Sequence, residues 1–483
     1  MSLQFYTVDV LSVKQQQSSL TLDRFLEDPI DAFAGSLTRM NGIDPDALKE
    51  LQRDALRARF TQLRNEIPLL RRVADELGVQ RVDTVDDVVP LLFDHAFYKS
   101  YPASLIDRKR FGDLTRWLSR LTTVDLSGLD VGECRSLDDW FMRMDAETPL
   151  RVCHSSGTSG SFSLVPWTRA EFDTLGAAFA AVFIQDFGTD EDCRQTPPID
   201  VVFPYFRHGS AMVTRLNDAI ATHVAKGEQN FHAALPARLS SDVMFLAGRL
   251  RDAAAKGTVR QLNPDPQLLA RKEEFDTLLT AMPRLLEEFL DRISSELAGH
   301  RIFTVAVWHT VHNLALAGLA AGRRGVFAPD SVLALGGGAK GMVQPDGWED
   351  DVEAFFGATR IRPGYGMSEI TLAARECEHG LYHFNPWLIP LVLDPESGSP
   401  LPRTGTATGR AAFFDLSLTT RWGGFITGDN VTVHYEPCPC GQTTPGCERG
   451  IERFGAAHDG EDKITCAATD AAHRETVEFL SSI

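Results

Sequence analysis

The spacing of hydrophobic positions changes twice along this chain, and the changes divide it into regions of different architecture. Up to about residue 130, apolar residues recur at helical intervals. Asp44-Pro45-Asp46 offers a capping carboxylate followed by proline at a first helical position. Leu48, Leu51, Leu56, Phe60 and Leu63 then line one face until Pro68. From there to about residue 385, short apolar runs alternate with longer amphipathic ones. Pro197–Pro204, Ile302–Trp308 and Ser331–Leu335 read as strands, and Arg169–Phe187, Ala237–Lys256 and Pro266–Leu297 as helices. Such alternation predicts an α/β sheet covered by helices. Beyond residue 385, Leu388–Leu393 and Val431–Tyr435 are set between Gly/Pro turns, as in a small β-rich unit. The expected organisation is a helical lead-in (1–130), an α/β core (131–385), a β-rich subdomain (386–454) and a hinge-like tail (455–483).

At 483 residues the chain is longer than the roughly 250–300 residues at which single cores stop growing, so two or three packed units are expected. A net charge of −18 opposes nonspecific binding to nucleic acid or to an anionic membrane. No apolar run reaches the roughly 18 residues needed to span a bilayer. The first residues lack a secretory pattern, so a cytoplasmic protein is expected, with its eight cysteines free or metal-bound.

Three segments carry chemistry. Ser155-Ser156-Gly157-Thr158-Ser159-Gly160 lies between an extended apolar stretch and a helix. Its glycines let backbone N–H groups approach an anion, and its hydroxyls add donors ahead of a helix N-terminus. It is no Walker loop, because Ser161-Phe162-Ser163 follows where Lys-Ser/Thr would be required. Tyr365-Gly366-Met367-Ser368-Glu369 places an aromatic ring and a carboxylate four residues apart, able to stack a base and hold a metal. Thr427-Gly428-Asp429 is a tight turn ending in an acid that suits a ribose diol.

In this order the three segments resemble the phosphate loop, Tyr-Gly-x-Ser/Thr-Glu and Thr-Gly-Asp motifs of the adenylate-forming superfamily of acyl-CoA synthetases, luciferases and adenylation domains. Ser159–Pro166 and Gly336–Gly341 are similar to the phenylacetate-CoA ligase branch and, more closely, to the acyl-protein synthetase of bacterial luminescence. The resemblance implies the layered α/β fold of that superfamily's large N-terminal domain, with ATP and Mg²⁺ as cofactors. Ser155–Gly160 would hold the phosphates, Thr158 foremost. Tyr365, with Gly366 and Met367, would lie against adenine, Ser368 near the α-phosphate, Asp429 on the ribose and Glu369 on Mg²⁺. Gly336, Gly337 and Gly338 would form a thin wall beside adenine, with Lys340 facing phosphate. Gly336–Gly341 also satisfies G-x-G-x-x-G, but Pro345 and Gly347 interrupt the helix that a dinucleotide fold needs there. Phe203–Ser210 would border the acyl group, with His208 orienting the carboxylate, and Trp308–His312 is a second candidate wall.

Cys377-x5-His383 and Cys438-Pro439-Cys440-Gly441 together offer three thiolates and an imidazole for a structural Zn²⁺, with His379 and Cys447 as alternatives. Part of the phenylacetate-CoA ligase branch is similar here. Glu452–Gly455 and His458–Ile464 resemble the superfamily's hinge, with Arg453 reaching ribose or phosphate. Only 19 residues follow Ile464, so the usual C-terminal lid is expected to be absent. Cys466 stands where the luminescence synthetase carries its acyl-accepting cysteine. The expected activity is ATP-dependent conversion of a small-molecule carboxylic acid to an acyl adenylate and pyrophosphate. Transfer would follow to a thiol: coenzyme A, an acyl carrier protein or Cys466. A homodimer is compatible with this reading. The alternatives are a nucleotide-binding or carrier-interacting subunit without catalysis and, through the glycine run, an NAD-dependent oxidoreductase.

Overall fold

The computed structural model describes residues 20–155, 161–184, 193–261, 266–336, 343–357 and 359–453. Three short strands come first: β1 (Phe93–Asp94) and the antiparallel pair β2 (Cys153–His154) and β3 (Leu164–Val165). The main sheet contains β4 (Asp200–Gly209), β5 (Phe231–Leu239), β6 (Ile302–Val307), β7 (Val332–Gly336), β8 (Arg360–Tyr365) and β9 (Ala374–Arg375). Its order is β5-β4-β6-β7-β8-β9, parallel except for β9. Val201, Val202, Ile302, Phe303, Val332 and Leu333 are all buried, as expected for a parallel sheet covered on both faces. The chain winds from β4 outward to β5, then returns to the other side of β4 for β6, β7 and β8. The direction of winding therefore reverses between β4 and β6.

The second sheet is largely antiparallel, with β10 (Leu381–His383), β11 (Leu388–Leu393), β12 (Thr406–Asp415), β13 (Gly424–His434), β14 (Gly446–Glu448) and β15 (Glu452–Arg453). Its path is β10-β14-β13-β12-β11, and β1 and β15 also pair with β13. The sheet thus starts before residue 386 and recruits a strand from the lead-in, a partnership between distant segments that local pattern does not encode.

The lead-in is helical as expected. Asp44 caps the helix Pro45–Glu66 by accepting from the N–H groups of Asp46 (3.1 Å) and Ala47 (3.0 Å). From that helix the buried Arg59 donates to the carbonyl of Leu416 (2.9 Å) and Gln52 to that of Pro386 (2.9 Å), so the lead-in packs on the second sheet.

Several expected boundaries move. The strand predicted over Pro197–Pro204 runs from Asp200 to Gly209, passing through Pro204 where the pairing with β5 shifts register and no ladder N–H is required. Ala237 belongs to β5, and the following helix starts at Ser241 behind an N-cap hydroxyl from Ser240. The predicted helix Pro266–Leu297 divides at Arg271 into Pro266–Ala270 and Lys272–Glu296. The described part of the helix predicted over Arg169–Phe187 ends at Ile184.

Gly318, in the helix Trp308–Ala320, lets the buried ring of Phe355 from the helix Trp348–Phe356 approach so closely that a Cβ would collide with it. Gly318→Ala should cost about 1–3 kcal/mol through overpacking, read as a lower urea midpoint. An unchanged midpoint would show that this helix pair yields.

Candidate functional site

In open α/β sheets, ligands lie beyond the carboxyl ends of the strands, near the point where the winding reverses. Four of the sequence-singled segments end there: His208-Gly209 at β4, Trp308 after β6, Gly336 at β7 and Tyr365 at β8. The second sheet brings Asp429 to the same place. The Tyr365 hydroxyl donates to Asp429 Oδ2 at 2.8 Å, and Arg453 Nη1 lies 3.2 Å from Asp429 Oδ1. Main-chain pairing of Asp429 with Arg453 fixes that second contact. Thr427 is buried, donates to the Ala411 carbonyl (3.0 Å) and accepts from the Asp429 N–H (3.0 Å); Thr427–Asp429 is not the tight turn expected but lies within the strand β13, whose pairing with β12 and β15 fixes its backbone. Burial raises the Tyr365 pKa well above that of an ordinary phenol, and the Asp429 carboxylate adds to the rise.

Gly366 is exposed and Met367 half-buried, whereas Glu369, two residues further, is buried. Ser368 Oγ donates to Glu369 Oε2 at 3.0 Å. Burial raises the Glu369 pKa, while the Ser368 hydrogen bond and the charges of Lys99, Arg421 and Arg453 oppose the rise. A buried carboxylate with cations only at a distance among the described residues suits a divalent metal. Trp167 and Arg421, which sequence reasoning does not single out, hold the carbonyls of Ser368 and Glu369. Position immediately beyond the phosphate-loop segment was the only hint for Trp167, and Arg421 offered none.

Ser156, Gly157, Thr158, Ser159, Gly160, Gly337, Gly338, Lys340 and Cys466 lie outside the described residues. Ser155 is described, and it closes on Ser163: Ser155 N–H donates to the Ser163 carbonyl (3.2 Å), and Ser163 N–H to Ser155 Oγ (3.0 Å). His154, also missed by sequence reasoning, is buried and stacks on Phe162 with ring centroids 4.0 Å apart. Its Nδ1–H donates to the Ser155 carbonyl (2.8 Å), and Nε2 accepts from Ser241 Oγ (3.1 Å). Burial lowers its pKa to about 4, so the ring is a neutral brace near neutral pH. On β4, Arg207 is buried against Asp218 (2.8 Å) and Glu228 (2.5 Å), and His208 projects to solvent.

The cysteine-histidine quartet assembles. The donor atoms of Cys377, His383, Cys438 and Cys440 all lie within 4.8 Å of one another. Cys377 Sγ is 4.0 Å from Cys438 Sγ, and Cys440 Sγ is 3.4 Å from His383 Nε2. Tetrahedral Zn²⁺ with Zn–S of about 2.3 Å puts sulfurs about 3.8 Å apart, so the set fits that metal with little adjustment. His383 Nδ1 is 3.0 Å from the Thr444 carbonyl, which can only accept, so Nε2 faces the cluster without a hydrogen. Burial and the neighbouring thiols push the Cys440 thiol up to about 12. Cys447 instead pairs with Tyr382 and Val433 inside the sheet, and His379 lies beside Glu378, so neither alternative joins the quartet.

No protein-family model matches the chain, and no curated protein does. Among solved structures, the chain is similar to 2-hydroxyisobutyryl-CoA ligase in complex with 2-HIB-AMP and CoA, at 15% identity and a TM-score of 0.49, over 84% of this chain and 69% of that one. ATP-bound MatB from Rhodopseudomonas palustris matches at 14% identity and a TM-score of 0.33, over 59% and 46%. A long-chain-fatty-acid-CoA ligase (FadD1) from Archaeoglobus fulgidus matches at 12% and 0.34, over 63% and 52%. Likeness at this level concerns the course of the backbone and not the chemistry.

The raised Tyr365 pKa has a consequence at high pH. Stability from a phenol protonated only in the folded state is complete below the unfolded value of about 10 and is lost as pH rises above it. Tyr365→Phe should therefore lessen the alkaline loss of stability by about 1.4 kcal/mol per pH unit above 10. Urea unfolding at several alkaline pH values measures this; parallel wild-type and variant profiles would show that Tyr365 ionises freely.

Proposed function

We propose that this chain activates a carboxylic acid with ATP and Mg²⁺. A carboxylate oxygen attacks the α-phosphorus, the α–β phosphoanhydride bond breaks, and acyl adenylate and pyrophosphate result. A thiolate then attacks the acyl carbon and AMP departs, leaving a thioester. The convergence of Tyr365 and Asp429, from different sheets and 64 positions apart, with Glu369 in the same segment as Tyr365, carries this reading. Each matches a different part of one nucleotide: ring for base, carboxylate for ribose and carboxylate for metal.

Asp429 accepts from the ribose hydroxyls, and Arg453 holds its second oxygen. The Tyr365 ring, ending at exposed Gly366 and flanked by Gly336, lies against the base. Ser368 and Thr158 donate to phosphate oxygens, and Lys340 faces the same charge. Bound at Glu369, Mg²⁺ supplies positive charge to the phosphates. His208 orients the incoming carboxylate. Such a reaction asks the protein chiefly to position reactants and stabilise developing charge, which a rigid carboxylate-phenol pair suits. Coenzyme A, a carrier protein or Cys466 provides the thiol. The quartet of Cys377, His383, Cys438 and Cys440 holds a structural Zn²⁺, with all four positions filled by protein, joining the β9–β10 turn to the β13–β14 turn.

Carboxylate-dependent exchange of labelled pyrophosphate into ATP should be found across a panel of acids, and its absence throughout would overturn the reading. Asp429→Ala should lower ATP kcat/KM in that assay about 10- to 100-fold, the worth of charge-assisted hydrogen bonds. Metal analysis should find one zinc per chain, lost in Cys438→Ser with a lower melting temperature. A metal-replete preparation without zinc would eliminate the structural metal.

A further inference from the structure

Trp167 and Arg421 are both buried, and the Arg421 guanidinium lies over the Trp167 ring with its carbon 4.4 Å from the centroid. Together they hold two consecutive carbonyls. Trp167 Nε1 donates to Ser368 O at 2.8 Å, and Arg421 Nη1 donates to Glu369 O at 2.5 Å. The backbone of Ser368 and Glu369 is thus fixed from one side, leaving Ser368 Oγ free to donate to Glu369 Oε2 at 3.0 Å.

Glu171 fixes the clamp in turn. Its Oε2 accepts from the Thr168 N–H (2.9 Å), and Thr168 Oγ1 accepts from the Glu171 N–H (3.2 Å), a capping box one residue beyond Trp167. Its Oε1 accepts from Thr419 N–H (3.2 Å), Thr420 N–H (3.1 Å) and Thr420 Oγ1 (2.9 Å), directly before Arg421. Both halves of the clamp therefore grow from one carboxylate.

A neutral donor would suffice to satisfy a carbonyl, yet the residue is a guanidinium only 1% exposed, beside the buried Tyr98 phenol, with Nε and Nη2 lacking hydrogen-bond partners among the described residues. Burying a charge in this way is costly unless the charge itself is used. Nearby buried carboxylates are those of Glu369, Asp415 and Glu171, the last already accepting the four hydrogen bonds above. Asp415 is already held by Thr371 N–H (2.5 Å) and Ser417 Oγ (2.6 Å).

We propose that Arg421, stacked on Trp167, is a positioning residue that holds the Glu369 carboxylate in the orientation that binds Mg²⁺ with ATP. The proposal rests on the nucleotide reading above. Its consequence is specific: loss of the clamp weakens the contribution of Mg²⁺ to nucleotide binding without weakening the contacts to adenosine.

The test is the equilibrium affinity for ATP by isothermal titration, with Mg²⁺ and with EDTA, on the full chain. Wild type should bind ATP more tightly with Mg²⁺, and Glu369→Gln should lose that gain. In Arg421→Met the gain should fall about tenfold, and in Trp167→Phe, which keeps the ring under the guanidinium, about fivefold. Affinity in EDTA should stay within about twofold of wild type in both, and Arg421→Lys should recover part of the gain. An undiminished gain in Trp167→Phe and Arg421→Met, or equal losses with and without Mg²⁺, would overturn the positioning role alone. Wild type without ATP affinity, or Glu369→Gln with an intact gain, would overturn the nucleotide reading itself and the positioning role with it.

Discussion

The carboxylate of Glu171 is the tie on which the site's geometry depends. It is buried, and its two oxygens accept four hydrogen bonds, one within its own capping box and three from Thr419 and Thr420. The first fixes the start of the helix Arg169–Ile184, which follows the phosphate-loop segment. The others fix the approach to β13, where Asp429 resides. Charge-assisted hydrogen bonds in a water-excluded setting are among the stronger interactions available to a fold, and several on one group restrain it in more than one direction. A helix that follows β3 is thereby tied to the segment that enters β13, and at that junction the end of β8 and the middle of β13 share a 2.8 Å contact.

Polar groups are buried unusually often around this junction. His154, Glu171, Glu369, Thr427, Asp415 and Arg421 are all below a tenth exposed. The side chains of Glu171, Thr427, Asp415 and Arg421 each hydrogen-bond the backbone of a segment distant in sequence. Interiors built this way are sensitive to mispairing, because a donor or acceptor left alone costs more than its bond contributes when made. What that cost secures is a single arrangement of backbone at the strand ends, which apolar packing alone specifies less sharply. The adenylation chemistry proposed above, which works chiefly by positioning, would need such rigidity.

The cysteine-histidine quartet lies where the turns flanking β10 and following β13 meet. Its members come from the β9–β10 turn, from His383 at the end of β10 and from the β13–β14 turn, and neither turn has much apolar side chain to pack. The four donor atoms lie within 4.8 Å of one another where those segments meet.

Much of this was readable from residue order. Apolar spacing and the cap at Asp44 foretell helices because both act within a single turn, and short apolar runs foretell the parallel strands because they are buried on both faces. Tyr365, Glu369, Asp429 and the quartet could be singled out by residue type, and the structure brings Tyr365 to Asp429 and the four Cys/His donor atoms together. Order along the chain did not reveal that β1 would pair with β13, that Ala237 would extend a strand, or that Trp167 and Arg421 would stack beneath Glu369. These are contacts across tens to hundreds of positions, selected by which faces remain uncovered once sheets and helices have packed. The sequence by itself determined which groups are present and the local elements that carry them. Tertiary structure alone decided which of them meet, because hydrogen bonding and burial depend on distance in space, and nothing in local propensity sets that distance.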